Sequence, residues 1–152
     1  LKLGWIVVVG PAPPRARARE RLLLVADTFL SVSTPVQLAA AALLRQRPLL
    51  QGAIHRRVQG NLAVLQAQVR GSACDVLRCE GGWYAVLRVP RLVPDEDLCL
   101  RLLRDDGVLC HPGFFFDFPS DGHLVLSLLP PPQDFAAAVA LVLGRVARLA
   151  AE

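Results

Sequence analysis

The side chains able to do chemistry are few and widely spaced in this chain of 152 residues. The four cysteines, Cys74, Cys79, Cys99 and Cys110, form no pair of C-x-x-C knuckles. A zinc site would have to gather Cys99, Cys110, His111 and His123, whose irregular spacing argues against it, so no metal is expected. Buried or half-buried thiols in a reducing, cytoplasmic compartment are the better reading. Cys110 and His111 are neighbours, and neighbours on a strand face opposite sides, which disfavours a thiolate–imidazole pair. Asp95, Glu96 and Asp97 fit the electrostatics of a helix start better than paired acid–base catalysis. The chain has no G-x-S-x-G elbow, no H-E-x-x-H and no Gly-rich phosphate loop closed by Lys-Ser/Thr.

Charge narrows the partners. Lys2 is the sole lysine beside 16 arginines, and the net charge is +4. The densest basic run, Arg15, Arg17, Arg19 and Arg21, has a period of two, which scatters charge around a helix. No aromatic residues interleave with it for base stacking, so nucleic acid is not an expected partner. The hydrophobic share is 53% and the mean hydropathy +0.41. The longest apolar run, Phe135 to Gly144, is about half the roughly 18 residues a membrane span needs. No signal-peptide pattern opens the chain. With no methionine and a start at Leu1 that reads as mid-strand, the sequence predicts a piece of a larger protein. Its surplus apolar faces would then be meant for a missing part.

The elements that must position these residues follow from periodicity and breakers. Trp5 to Val9 reads as a strand, closed by Gly10 and the stretch Pro11, Pro13, Pro14. A helix is expected from Arg15 to about Phe29. Thr34 should cap a second helix opened by Pro35 and running to about Arg45, stopped near Pro48. Leu50, Ile54, Val58, Leu62, Leu65 and Val69 then form one apolar stripe on a long helix ended by Gly71. Cys74 to Cys79 and Trp83 to Val89 read as strands joined through Glu80-Gly81-Gly82. Pro94 to Arg104 reads as a short helix, Val108 to Cys110 as a third strand and His123 to Leu129 as a fourth. A final helix is expected from Gln133 to Leu149. The architecture is α+β: a long helix, then a small, mainly antiparallel sheet covered by helices. Three regions are drawn: 1–30, the tail of another layer; 31–71, a loop and connecting helices; and 72–152, a small C-terminal domain.

This order of motifs resembles the C-terminal portion of a fold-type-I, pyridoxal-phosphate-dependent aminotransferase of class I/II. Residues Leu1 to Pro11 look like the strand that follows the cofactor lysine. Ser33-Thr34-Pro35 is similar to a loop that reaches the neighbouring subunit's site. Ile54, Arg57, Asn61 and Leu65 match the I-x-x-R-x-x-x-N-x-x-x-L pattern of the interdomain helix. Gly81-Gly82-Trp83-Tyr84, the run from Gly107-Val108 to His111-Pro112-Gly113-Phe114-Phe115, and Leu124 to Leu129 match three small-domain signatures in order.

The resemblance implies amino-group transfer between an amino acid and a 2-oxo acid, with pyridoxal phosphate as the electron sink. It also implies that the Schiff-base lysine lies upstream of Leu1, so this chain carries no catalytic residue and should be inactive alone. Lys2 falls at the family's phosphate-binding basic position, usually arginine, where it would act as a point charge. Ser33 and Thr34 either cap their helix or contact a partner subunit's site. The arginine expected to grip the substrate carboxylate falls on Val125, which cannot do so. Phe29, where relatives for acidic substrates carry arginine, argues against an aspartate-type substrate. Trp83, Tyr84 and Phe114 to Phe118 either line an apolar substrate pocket or belong to a core or interface. The implied partners are a second copy in a homodimer or the missing large domain. The rival reading is a non-catalytic dimerisation or docking module derived from the same fold.

Overall fold

The computed structural model describes residues 2–29 and 32–152. The boundary drawn at 30/31, and Leu1 at the head of the expected opening strand, lie outside the described residues. The chain divides into two compact units, Leu1–Leu50 and Gln51–Glu152.

The first unit holds α1 (Ala12–Asp27) and α2 (Thr34–Arg45), and α3 (Arg47–Gln68) begins in it. The expected strand at Trp5 to Val9 is not formed. Residues 2–9 have no ladder partner among the described residues, and an isolated run has nowhere to place its backbone hydrogen bonds. Pro13 and Pro14 do not break the chain but sit in the first turn of α1, where an N–H is not needed. Pro48 occupies the same place in α3. Thr34 is the first residue of α2 and not its cap. Ser33 holds the cap position without a side-chain hydrogen bond, and its carbonyl accepts from the N–H groups of Val36 and Gln37 at 3.0 and 3.1 Å.

The second unit is built on a four-stranded antiparallel sheet of β1 (Asp75–Val76), β2 (Tyr84–Arg88), β3 (His111–Pro112) and β4 (His123–Ser127), in the order β1-β2-β4-β3. The third strand lies three residues beyond the expected one. Gly107 takes a left-handed conformation (φ +68°) at the end of α4 (Asp95–Asp106), and Val108 N–H turns back to the Leu102 carbonyl at 3.0 Å. That closure delays pairing with β4 until His111.

Alternation along β2 and β4 sends Ala85, Leu87, Leu124 and Leu126 to one face. Against them pack Leu98, Cys99 and Leu102 of α4, and Phe135, Val139, Val142 and Val146 of α5 (Pro132–Ala151). The α5 residues recur at helical spacing, so one stripe meets the sheet. The α3 stripe is used in part: Val58, Leu62, Leu65 and Val69 join the core, while Leu50 and Ile54 stay exposed. Leu65, Leu87, Leu102, Leu124 and Leu128 are wholly buried. Truncating one such leucine costs about 2–5 kcal/mol, against about 0–1 kcal/mol for an exposed ion pair such as Arg88–Asp75. The fold is therefore held by this apolar seam. No helix among the described residues is long and apolar enough to cross a membrane.

Candidate functional site

The sheet face opposite the core carries the positions that the resemblance singles out. Register places Val86, Val125 and His111 side by side across β2, β4 and β3, and paired residues share a face. Val125 is 2% exposed. An apolar side chain thus fills the expected carboxylate-binding position. His111 beside it is half-buried.

Above this row lies a ridge of rings. Trp83 and Tyr84 have centroids 6.4 Å apart, and Tyr84 meets Phe116 edge-on at 5.6 Å. His111 stands 6.2 Å from Phe116 and 6.0 Å from Phe115, and Phe115 meets Phe114 edge-on at 4.8 Å. Trp83 and Phe114 are therefore joined through a relay of rings. All the rings but His111 are exposed, with Trp83 and Phe114 about half open to solvent. They are not core residues. Trp83 also walls a groove of about 430 Å³ with Gln51, Ile54, His55, Val58 and Gly82.

The aromatic turn, a 3₁₀ segment at Gly113–Phe116, sits where it does because Gly113 has no side chain. A Cβ there would lie 2.8 Å from His123 Cβ and 3.1 Å from the His123 carbonyl oxygen. Phe118 stacks on the His123 ring at 4.5 Å, and His123 Nδ1 donates to the Ser120 carbonyl at 3.1 Å.

Two clamps fix β4. Asp95 is buried, and its carboxylate accepts from Gly122 N–H at 2.6 Å and His123 N–H at 3.1 Å. Asp121 reciprocates, accepting from Asp95 N–H at 3.0 Å. On the other side, Arg57 donates to the Leu129 carbonyl at 3.1 Å, and Asn61 Nδ2 donates to the carbonyls of Leu128 and Pro130, each at 2.9 Å. The I-x-x-R-x-x-x-N-x-x-x-L pattern thus fastens α3 to the segment joining β4 and α5, with Leu65 seated in the core. Asp95 in the acidic run looked like a dipole partner only. Its contacts lie 27 and 28 residues away, a distance that sequence pattern does not reach. A third fastening joins Arg145 to Asp106 at 2.8 Å and to Asp105 at 3.1 Å, with Arg148 reaching Asp106 at 3.3 Å. Two acids at a helix C-terminus oppose the dipole and call for cations nearby, and that signal was available in the sequence.

The remaining expected site residues lie in the first unit. Lys2 is exposed and makes no ion pair or hydrogen bond among the described residues. Ser33 and Thr34 are exposed at the start of α2. No three His, Cys, Asp or Glu side chains converge as a metal site requires, among the described residues.

No family model matches the chain. Among curated proteins, alanine aminotransferases of Mycobacterium tuberculosis and Mycobacterium bovis are 28% identical over 150 residues, covering 91% of this chain and 34% of the relative. The chain therefore spans about a third of the length of the curated relatives it matches. A solved Escherichia coli protein with a methionine aminotransferase function is 25% identical, with a TM-score of 0.64 over 88% of this chain and 35% of that one. A pyridoxal-phosphate-dependent aminotransferase from Streptococcus suis reaches a TM-score of 0.69 at 20% identity, over 90% of this chain and 35% of its own. The resemblance to the C-terminal portion of these aminotransferases, and the α+β architecture it implied, both stand.

Proposed function

We propose that these 152 residues serve as the C-terminal part of a pyridoxal-phosphate-dependent aminotransferase, which moves an amino group between an amino acid and a 2-oxo acid. The observation that carries this reading is the match to alanine aminotransferases over 91% of the chain. The α3 pattern supports it, with each polar member bonded to the β4–α5 connection.

The cofactor asks for a lysine to hold it as an imine, a carboxylate for its ring nitrogen and a cradle for its phosphate. Of these, the chain supplies the exposed ammonium of Lys2 and the exposed hydroxyls of Ser33 and Thr34. These groups form no enclosed cradle and do not by themselves fit the group. In the parent enzyme Lys2 would add a positive charge toward the phosphate, and Ser33 and Thr34 would face a partner subunit's site in a cytoplasmic homodimer. Trp83 and Phe114 would offer apolar surface to the substrate. With Val125 filling the usual arginine position, substrate carboxylate binding would fall to another group.

The isolated chain is then inactive. With pyridoxal phosphate, alanine and a 2-oxo acid it should show no turnover, and borohydride should trap no cofactor on it. The coding sequence preceding Leu1 should continue in frame and encode a Ser-Lys motif, and the longer protein should transaminate. A trapped lysine adduct with turnover on these 152 residues would overturn the reading.

A second reading, a non-catalytic docking or dimerisation module, is favoured by the exposure of Trp5, Ile6, Val7 and Val9 in the first unit. A start codon immediately before Leu1 would decide for it.

A further inference from the structure

Two thiols of the second unit have no part in the function above and lie in contact. Cys99, on the inward face of α4, and Cys110, one residue before β3, place their sulfurs 3.6 Å apart. They are 8% and 5% exposed. A disulfide needs about 2.05 Å between sulfurs, so closing the gap asks for a movement of about 1.5 Å. Both cysteines are free in the structure.

We propose that Cys99 and Cys110 form an oxidation site whose co-reactant is a small hydroperoxide and whose product is a disulfide joining α4 to the start of β3. The two sulfurs share one S–H···S hydrogen bond in which either can be the donor. Either thiol can therefore act first; in the course that begins at Cys110, that residue is the nucleophile. Its sulfur attacks the peroxide oxygen, the O–O bond breaks, and Cys110 becomes a sulfenic acid as water leaves. Cys99 attacks that sulfur, the S–O bond breaks, and its proton leaves with the hydroxyl as a second water. Two thiols are oxidised and one peroxide is reduced.

At 8% and 5% exposure, the pair favours a small oxidant over a bulky disulfide. The product would staple α4 to the strand that carries His111 and the aromatic turn.

The test uses the folded chain. It is treated with hydrogen peroxide or oxidised glutathione, quenched, alkylated in denaturant and digested with trypsin. Cleavage after Arg101 and Arg104 puts the two cysteines on separate peptides. With peroxide, both alkylatable thiols should be lost into one cross-linked pair, lighter by two hydrogens and restored by dithiothreitol. Oxidised glutathione should leave both free. In Cys110→Ala, and equally in Cys110→Ser, Cys99 should form no cross-link. Recovery of both thiols after peroxide, a Cys74–Cys79 link in their place, or an unchanged cross-link at Cys99 in the variants would overturn the proposal.

Discussion

The Asn61 side chain donates to the Leu128 carbonyl at 2.9 Å across 67 residues of chain, and in doing so fixes the position of α3 on the end of β4. The same nitrogen donates to the Pro130 carbonyl. Asn61 is completely buried, and its Oδ1 is buried without a hydrogen-bond partner among the described residues. The residue therefore stands on its two donated bonds. Asn61→Ala leaves two carbonyls unpaired, at about 1–3 kcal/mol for each group stranded. Urea unfolding should show a loss of roughly 2–6 kcal/mol, and Arg57→Ala less than about 1 kcal/mol, since that bond is exposed. Equal losses at the two positions would contradict this account of the helix pattern.

Val125 tests the sheet face. Val125→Arg puts a cation into a position that is 2% exposed and flanked by Val86 and His111. A buried, unpaired charge costs several kcal/mol. The variant should lose roughly 3 kcal/mol or more in urea titration. Unchanged stability would mean that this face opens to solvent more readily than its packing indicates.

Gly113 carries the approach of the aromatic turn to β4. Gly113→Ala drives a methyl to 2.8 Å from His123 Cβ, with the His123 carbonyl oxygen at 3.1 Å. One of these neighbours is backbone and cannot swing away. Overpacking of this kind costs about 1–3 kcal/mol, and the Phe118–His123 stack should shift, seen as displaced ring proton resonances of both residues. Gly60→Ala, where a Cβ meets nothing within 4 Å, should leave stability unchanged or raise it by up to about 1 kcal/mol.

Asp106 gives an acid-limb prediction. The hydrogen bond from Arg145 holds its carboxyl below the ordinary carboxylate range, opposed by desolvation and helped by the charges of Arg145 and Arg148. A depressed pKa means that the folded state binds its proton less readily than the unfolded state. The stabilisation is therefore full above the unfolded value of about 3.9 and is lost as pH falls through the lower folded value. Asp106→Asn should lower the urea midpoint at pH 7, and the gap from the parent chain should close as pH falls below about 4. A gap that stays constant with pH would remove the ion pair from the account.

Much of the second unit was legible in advance because its signals are local. Acids after Pro94 announced α4, and Gly107 its end. The final helix, expected from Gln133 to Leu149, runs from Pro132 to Ala151. The start of β3 was misplaced because a strand two residues long is defined by its partner, and partners are non-local. The aromatic run Phe114 to Phe118 reads from sequence as an apolar pocket or as core or interface, and only the sheet shows that Phe114, Phe115 and Phe116 are exposed. The strand expected at Trp5 to Val9 failed for the same reason, since β propensity supplies no neighbour to bond.

By itself, the sequence determined the helices and the apolar stripe of α3, which rest on residues within a turn or two of one another, and the order of motifs carried the likeness to aminotransferases. Only the tertiary structure decided that Val125 is sealed beside His111, that Asp95 holds Gly122 and His123, and that Cys99 meets Cys110. Those contacts depend on how α4 and β4 come together over the core, and that placement is set by the summed burial of many side chains rather than by any motif.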